Sequence, residues 1–224
     1  MISITATGGV KGSANIDHHP DECPICHRTM SATGIYFVQI SDHWIEGVYQ
    51  CPKLECHKLC IASFKKDLGT GYYYFVRTEP YIPVAKELPP KLSEISPEFV
   101  ETYQQAWEAK ELGFDKIAGT GFRRSLEFLV KDYATRNASD EEKKDIRRQP
   151  MAQCIKEYIS EDGIKTVAER ATWLGNDETH YLRKWEDKDI NDLIDLIDSV
   201  SDWIIIHLKT EHLKKSMIAT KAST

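Results

Sequence analysis

Cys23-Pro24-Ile25-Cys26 and, further along, Cys51-Pro52-Lys53-Leu54-Glu55-Cys56 decide how the first part of this chain is read. Two cysteines flanking a tight turn bring their Cβ atoms together, so both sulfurs can aim at one ion. Two such turns supply the four thiolates, each about 2.3 Å from the metal, of a closed tetrahedral site. His57 and Cys60 compete for the fourth place. Cys56 is preferred, because Lys58-Leu59-Cys60-Ile61-Ala62-Ser63-Phe64 reads as the next strand. With every position filled by protein, Cys23, Cys26, Cys51 and Cys56 would hold a structural Zn2+ rather than a catalytic one. In a module this small the metal would supply much of the folding energy. The competing reading is a set of free buried thiols.

Around the knuckles the texture is β-rich. Ile35-Tyr36-Phe37-Val38-Gln39-Ile40, His43-Trp44-Ile45-Glu46-Gly47-Val48-Tyr49 and Tyr72-Tyr73-Tyr74-Phe75-Val76 read as strands. The Gly- and Ser-rich residues before Asp17 allow one short strand at Ile2 and Ile4. Residues 1–78 thus form a zinc-ribbon-like β module. Residues 79–97 carry Pro80, Pro83, Pro89, Pro90 and Pro97, which predicts an extended, irregular connector.

From Ser96 the apolar period changes from 2 to 3.6. Ser96 fits an N-cap, Pro97 the first helical position, and Phe99, Tyr103, Ala106, Trp107 and Lys110 share one side of a helix. Phe114, Ile117, Ala118, Phe122, Leu126, Leu129, Val130 and Tyr133 mark a second helix. Gly119 and Gly121 inside it predict close approach of another backbone. Ser139 and Glu142 form a capping-box pattern opening a charged helix to Arg148. Pro150 interrupts, a fourth piece through Ile155, Tyr158 and Ile159 ends at Asp162-Gly163, and a fifth begins at Ile164. Ile190, Leu193, Ile194, Ile197, Val200, Ile204 and Leu208 stripe a long last helix, whose other side carries Asp189, Asp192, Asp195, Asp198 and Asp202. The expected fold class is therefore α+β, mainly α: a β-rich module, then a helical bundle over residues 98–215 large enough to bury its own core.

The 224 residues carry a formal charge of −6 and 41% hydrophobic residues. That apolar content excludes a disordered chain, and no apolar run approaches the roughly 20 residues that span a bilayer. The acidic balance argues against a general polyanion binder but leaves room for a local basic site. Met1-Ile2-Ser3-Ile4-Thr5-Ala6-Thr7 lacks the basic and apolar regions of a secretory signal. Together with the clustered cysteines this points to the reducing cytoplasm. Cys154, alone in a helical segment without an adjacent His, reads as a buried structural thiol.

Two helical stretches suggest chemistry. In Gly121-Phe122-Arg123-Arg124-Ser125-Leu126-Glu127-Phe128-Leu129, Arg123 and Glu127 stand one turn apart, the spacing of an ordinary surface ion pair. In Trp173-Leu174-Gly175-Asn176-Asp177-Glu178-Thr179-His180, a helix would put Asn176 and His180 on one face. An imidazole oriented by an amide can shuttle a proton.

These stretches, with the two knuckles, Ile82-Pro83 and the Asp/Ile/Leu-rich last helix, resemble the bacterial family designated domain of unknown function 4145, over roughly Cys23 to Leu213. That family looks like a branch of the HEPN superfamily of helical bundles, many of them metal-independent ribonucleases or RNA-binding partners in phage defence and toxin–antitoxin systems. The superfamily's motif is Arg, a polar residue, then His, paired face to face across a homodimer. The resemblance implies that His acts as general acid or base on the ribose 2′-OH and leaving oxygen while Arg steadies the phosphorane. Asn176 and His180 map onto the polar and His positions, Gly175 occupies the Arg position, and Arg123 or Arg124 would have to supply the charge from the neighbouring helix.

The implied function is thus a nucleic-acid-associated module, RNA foremost, without strong ribonuclease activity. Arg123, Arg124 and Glu127 would lie on its nucleic-acid or dimer face, and a protein partner in a defence system is a further possibility. Two alternatives stand beside it. One is a protein-interaction adaptor using the acidic last helix and Tyr72-Tyr73-Tyr74. The other is a metal-independent ribonuclease acting through His180.

Overall fold

The computed structural model describes residues 1–6 and 12–216. Part of the Gly- and Ser-rich opening stretch, residues 7–11, lies outside them. The fold is mixed α+β, and the chain divides into two compact units, Met1–Val84 and Ala85–Thr224.

Among the described residues the first unit is one six-stranded sheet. Its strands are β1 (Ile2–Ala6), β2 (Gly12–Ile16), β3 (Gly34–Ser41), β4 (Trp44–Gln50), β5 (Leu59–Lys66) and β6 (Tyr73–Glu79), in the order β1-β2-β6-β5-β4-β3. Strands β3 to β6 form an antiparallel meander. The β1–β2 hairpin joins it through a single parallel pairing, Ile16 with Tyr73. Alternation in β4 buries Ile45, Gly47 and Tyr49 on one face, over Phe37, Cys60, Ala62 and Phe64. The ring of Phe37 lies over Gly47, where an added Cβ would come within 2.6 Å of it. The same period splits the tyrosine run: Tyr73 is buried and Tyr74 is exposed, so the three rings make no continuous aromatic surface. Strand β2 had no signal in the sequence, because Gly12-Ser13-Ala14-Asn15 has little strand propensity and is held by pairing with β1.

The second unit is helical among the described residues: α1 (Lys91–Ile95), α2 (Pro97–Glu111), α3 (Asp115–Thr135), α4 (Asp140–Arg148), α5 (Met151–Tyr158), α6 (Asp162–Asp177) and α7 (Ile190–Ser216). Helix α3 is central and packs on α2, α5, α6 and α7. Ser96 caps α2 by accepting the Phe99 amide, and its hydroxyl donates to Asp132 at 2.5 Å. Both hydrogen bonds of the Ser139–Glu142 capping box are present. Gly113, at φ +78°, ends α2 in the left-handed conformation that costs glycine least. Gly121 brings α3 onto α2, where an added Cβ would lie 2.8 Å from that of Ala106. Gly119, expected to admit a backbone as well, instead receives the side chain of Glu178. Cys154 is fully buried, its thiol directed at the Ile146 carbonyl.

The connector expected over 79–97 is not uniformly extended. Its start belongs to β6 and the first unit. Its later part folds with the helices, because Pro89 and Pro90 precede α1, where a fixed φ suits helix entry, and Leu92 is buried. Likewise α5 stops at Tyr158, and Asp162-Gly163 opens α6 rather than closing the previous piece. Upstream of α1, Lys86 is held by Gln104 of α2, whose side chain accepts the Lys86 amide at 3.1 Å and donates to its carbonyl at 2.5 Å. The Lys86 ammonium lies 3.3 Å from Asp198 of α7, which also accepts the buried Tyr103 hydroxyl at 2.8 Å.

Phe122 of α3 meets Tyr103 of α2 edge-on at 5.0 Å between ring centroids and is fully buried. Phe122→Ala should cost about 3–5 kcal/mol, read as a lowered denaturant midpoint in the far-ultraviolet helix signal.

Candidate functional site

Two loops of the sheet unit converge. One, between β2 and β3, carries Cys23 and Cys26; the other, between β4 and β5, carries Cys51 and Cys56. The four sulfurs lie within 4.8 Å of one another. Cys23 Sγ is 3.9 Å from Cys56 Sγ, and Cys26 Sγ is 3.8 Å from Cys51 Sγ. A tetrahedron with metal–sulfur arms of about 2.3 Å has edges of about 3.8 Å. A disulfide, by contrast, requires a separation of about 2 Å. The close pairs each join one loop to the other, so a bound ion would lock both together.

The local backbone explains the convergence. In the first loop Cys23 N–H donates to Arg28 O and His27 N–H to Cys23 O; in the second, Cys51 N–H donates to Lys58 O and His57 N–H to Lys53 O. Each turn tightens through a left-handed residue just after its second cysteine, His27 at φ 54° and His57 at φ 48°. His27 recovers part of that cost, since its Nε2–H donates to the Ile82 carbonyl at 2.6 Å while Ile82 N–H donates to Pro24 O. The Ile82 segment thereby straps the first knuckle. Arg28 and Glu55 pair across the two loops.

The thiols differ in acidity. A hydrogen bond from the Arg28 backbone N–H stabilises the Cys26 thiolate and brings its pKa to about 7. Burial pushes Cys51 up to about 12. Cys60 lies on β5, buried in the sheet core and outside the four-sulfur group. Burial and then the charges of Cys23 and Cys56 raise it to about 11. His57 is exposed and also outside the group.

In the helical unit, Arg123 of α3 reaches across to α6. Its Nε donates to Asn176 Oδ1 at 2.8 Å, and its Nη1 stands 3.6 Å from Glu127, which also accepts from Lys131 at 2.7 Å. Gly175 makes this possible: a Cβ there would sit 2.8 Å from the Arg123 Cβ. Arg124 turns elsewhere, its guanidinium 5.0 Å from the Phe128 ring. The expected Asn176–His180 pairing on one helix face is altered, because α6 ends at Asp177. The buried Asp177 carboxylate accepts the amides of Lys184 and Trp185 at 2.7 and 2.8 Å and so folds the chain back. Exposed His180 follows in a turn whose amide donates to Asn176 O. Asn176 and His180 still line one surface cleft of about 720 Å³ with Trp173, Tyr181, Lys184 and Trp185. The sequence reading passed over Asp177 and the tryptophans. Asp177 stood inside the stretch already quoted, and only its buried position reveals its task.

Comparison with known proteins finds no matching family model, curated protein or solved structure. Among the described residues no helix is long and apolar enough to cross a membrane.

Metal uptake must strip the proton from Cys51, whose pKa is raised, so affinity should climb with pH. Chelator competition at about pH 6 and about pH 8 should show the tighter complex at the higher value, with protons released on binding. Cys51→Ser should abolish stoichiometric metal, whereas Cys60→Ser should retain it. Separately, His57→Gly relieves a left-handed non-glycine residue that has no side-chain anchor of the His27 kind. It should raise the stability of the metal-loaded protein by up to about 1 kcal/mol in thermal unfolding.

Proposed function

We propose that the chain is a nucleic-acid-associated module acting on RNA, in the setting of bacterial defence or stress response. In this reading its first unit is a zinc-ribbon-like domain stapled by Zn2+ on Cys23, Cys26, Cys51 and Cys56, and its second is a HEPN-like bundle. Zinc suits a closed set of four thiolates at tetrahedral spacing; when bound it neutralises charge and cross-links the loops, with no open position for a substrate.

The observation that carries the nucleic-acid reading is Arg123 lying across Gly175 onto Asn176, which lines one cleft with His180. Gly175 stands where the resembling motif has Arg, and the vacated space takes an arginine from the neighbouring helix. A guanidinium fixed by Asn176 and Glu127 offers a positioned charge for a phosphate. His180 is exposed, and among the described residues no side chain orients its ring by a hydrogen bond. A general acid or base without fixed geometry contributes little. Binding without rapid cleavage follows.

The open face of the sheet favours a second reading, a protein-interaction adaptor. There Tyr36, Val48 and Ile61 form one cross-strand row, with Tyr36 and Ile61 47% and 40% exposed. Ile61→Lys would break that row without entering the core, and a stoichiometric partner lost on this substitution would establish the adaptor.

RNA binding by the full chain should weaken by roughly tenfold or more between about 50 and 200 mM salt if about three phosphates are contacted, at a slope of ~0.7 per contact. Arg123→Ala should lower affinity, while His180→Ala should leave RNA cleavage equally negligible. Salt-insensitive or absent binding removes the reading, and rapid cleavage abolished by His180→Ala would restore the ribonuclease.

A further inference from the structure

Trp173 on α6 and Trp185, in the segment leading to α7, lie with ring planes parallel to within 2° and centroids 6.3 Å apart. They remain 47% and 41% exposed. Both indoles line the cleft that holds Asn176, His180, Tyr181 and Lys184, and also a second cleft of about 480 Å³ containing Arg170, Lys188 and Asp192. Trp185 is not loosely placed. Asp177, 6% exposed, commits its carboxylate to the amides of Lys184 and Trp185 and thereby sets the indole alongside Trp173. A buried charge is thus used to hold an aromatic ring in the open.

We infer that this parallel indole pair is a stacking platform for an unstacked base of single-stranded nucleic acid. Lys184 would meet a backbone phosphate, and Asn176 and His180 would face the base edge or sugar. The inference rests on the nucleic-acid reading above and gives it a strand type. Parallel planes suit another flat ring laid against them. A quaternary ammonium ion instead needs rings converging around it and free carboxylates. The first cleft has one carboxylate, that of Asp177, and it accepts two amides; the second has Asp192, paired with Lys188 at 3.1 Å, and Asp195, so the base is placed in the first. Arg170 and Lys184 flank the rings with positive charge, matching a phosphodiester, while Lys188 is spent on Asp192. Bases in a duplex already stack on one another and cannot reach the platform, so single strands are preferred. Stacking on an aromatic side chain contributes about 1–3 kcal/mol per base, which corresponds to roughly five- to 150-fold in affinity.

The test uses the full metal-loaded chain and labelled strands of about ten nucleotides, read by fluorescence anisotropy: single-stranded RNA, the same sequence as DNA, the duplex, and an abasic strand of equal length. Single strands should bind, with duplex and abasic strands at least about fivefold weaker. Trp185→Ala should lower single-strand affinity by a similar factor while keeping the salt slope. Trp185→Phe should keep most of the affinity, and Asp177→Asn should fall between. Binding of RNA alone, or of RNA and DNA alike, supports the platform. If wild type binds with the expected salt dependence but the abasic strand or Trp185→Ala binds equally well, the platform is overturned and the nucleic-acid reading stands. If no strand binds wild type, both fall.

Discussion

Negative charge gathered on four sulfurs within 4.8 Å of one another is tolerable only when a cation sits among them or protons remain on them. That constraint governs the first unit. The loops bearing the cysteines connect different strand pairs, β2 to β3 and β4 to β5, so one ion would cross-link separate parts of the sheet. Without the ion, the loops are held by their own turn hydrogen bonds, the Arg28–Glu55 pair between them, the strap at Ile82 and the burial of Cys23 and Cys51. Cys60, one strand away, shows the other solution to the same problem: buried beside Cys23 and Cys56, it keeps its proton.

Much of this was legible in the residues. Paired knuckles announce a shared point because tight turns leave the sulfurs little choice, and Cys60 was set apart by the strand pattern around it. Most helices of the second unit could be read from apolar spacing and from caps such as Ser96 and Ser139, whose side chains satisfy the amides that a helix start leaves open. What stayed hidden depended on tertiary partners. Strand β2 exists through its pairing with β1, and α1 exists because Leu92 finds the bundle core. The left-handed backbone at His27 and His57 stayed hidden too, since histidine is enriched there but far too weakly to announce it.

The helical site shows how a missing side chain can be informative. Read along one helix, Gly175 is only a weak helix former. Seen in three dimensions, it is the opening through which Arg123 crosses from α3 to α6 and meets Asn176. Gly119 does the same in reverse for Glu178, which then pairs with Arg183 at 2.9 Å. Two glycines on facing helices therefore exchange long polar side chains across one crossing. A linear motif cannot express that arrangement.

Gln104 treats the Lys86 backbone as a neighbouring strand would, giving and accepting one hydrogen bond, while Lys86 also reaches Asp198 beside Tyr103. The bundle's real beginning is thus upstream of its first helix. An autonomous fragment cut at Ser96 would expose the Gln104 amide and strip Asp198 of its counter-charge, even though every long helix was kept. Any natural shuffling of this helical unit onto other partners would have to carry the tether from Ala85 onward as part of the cassette.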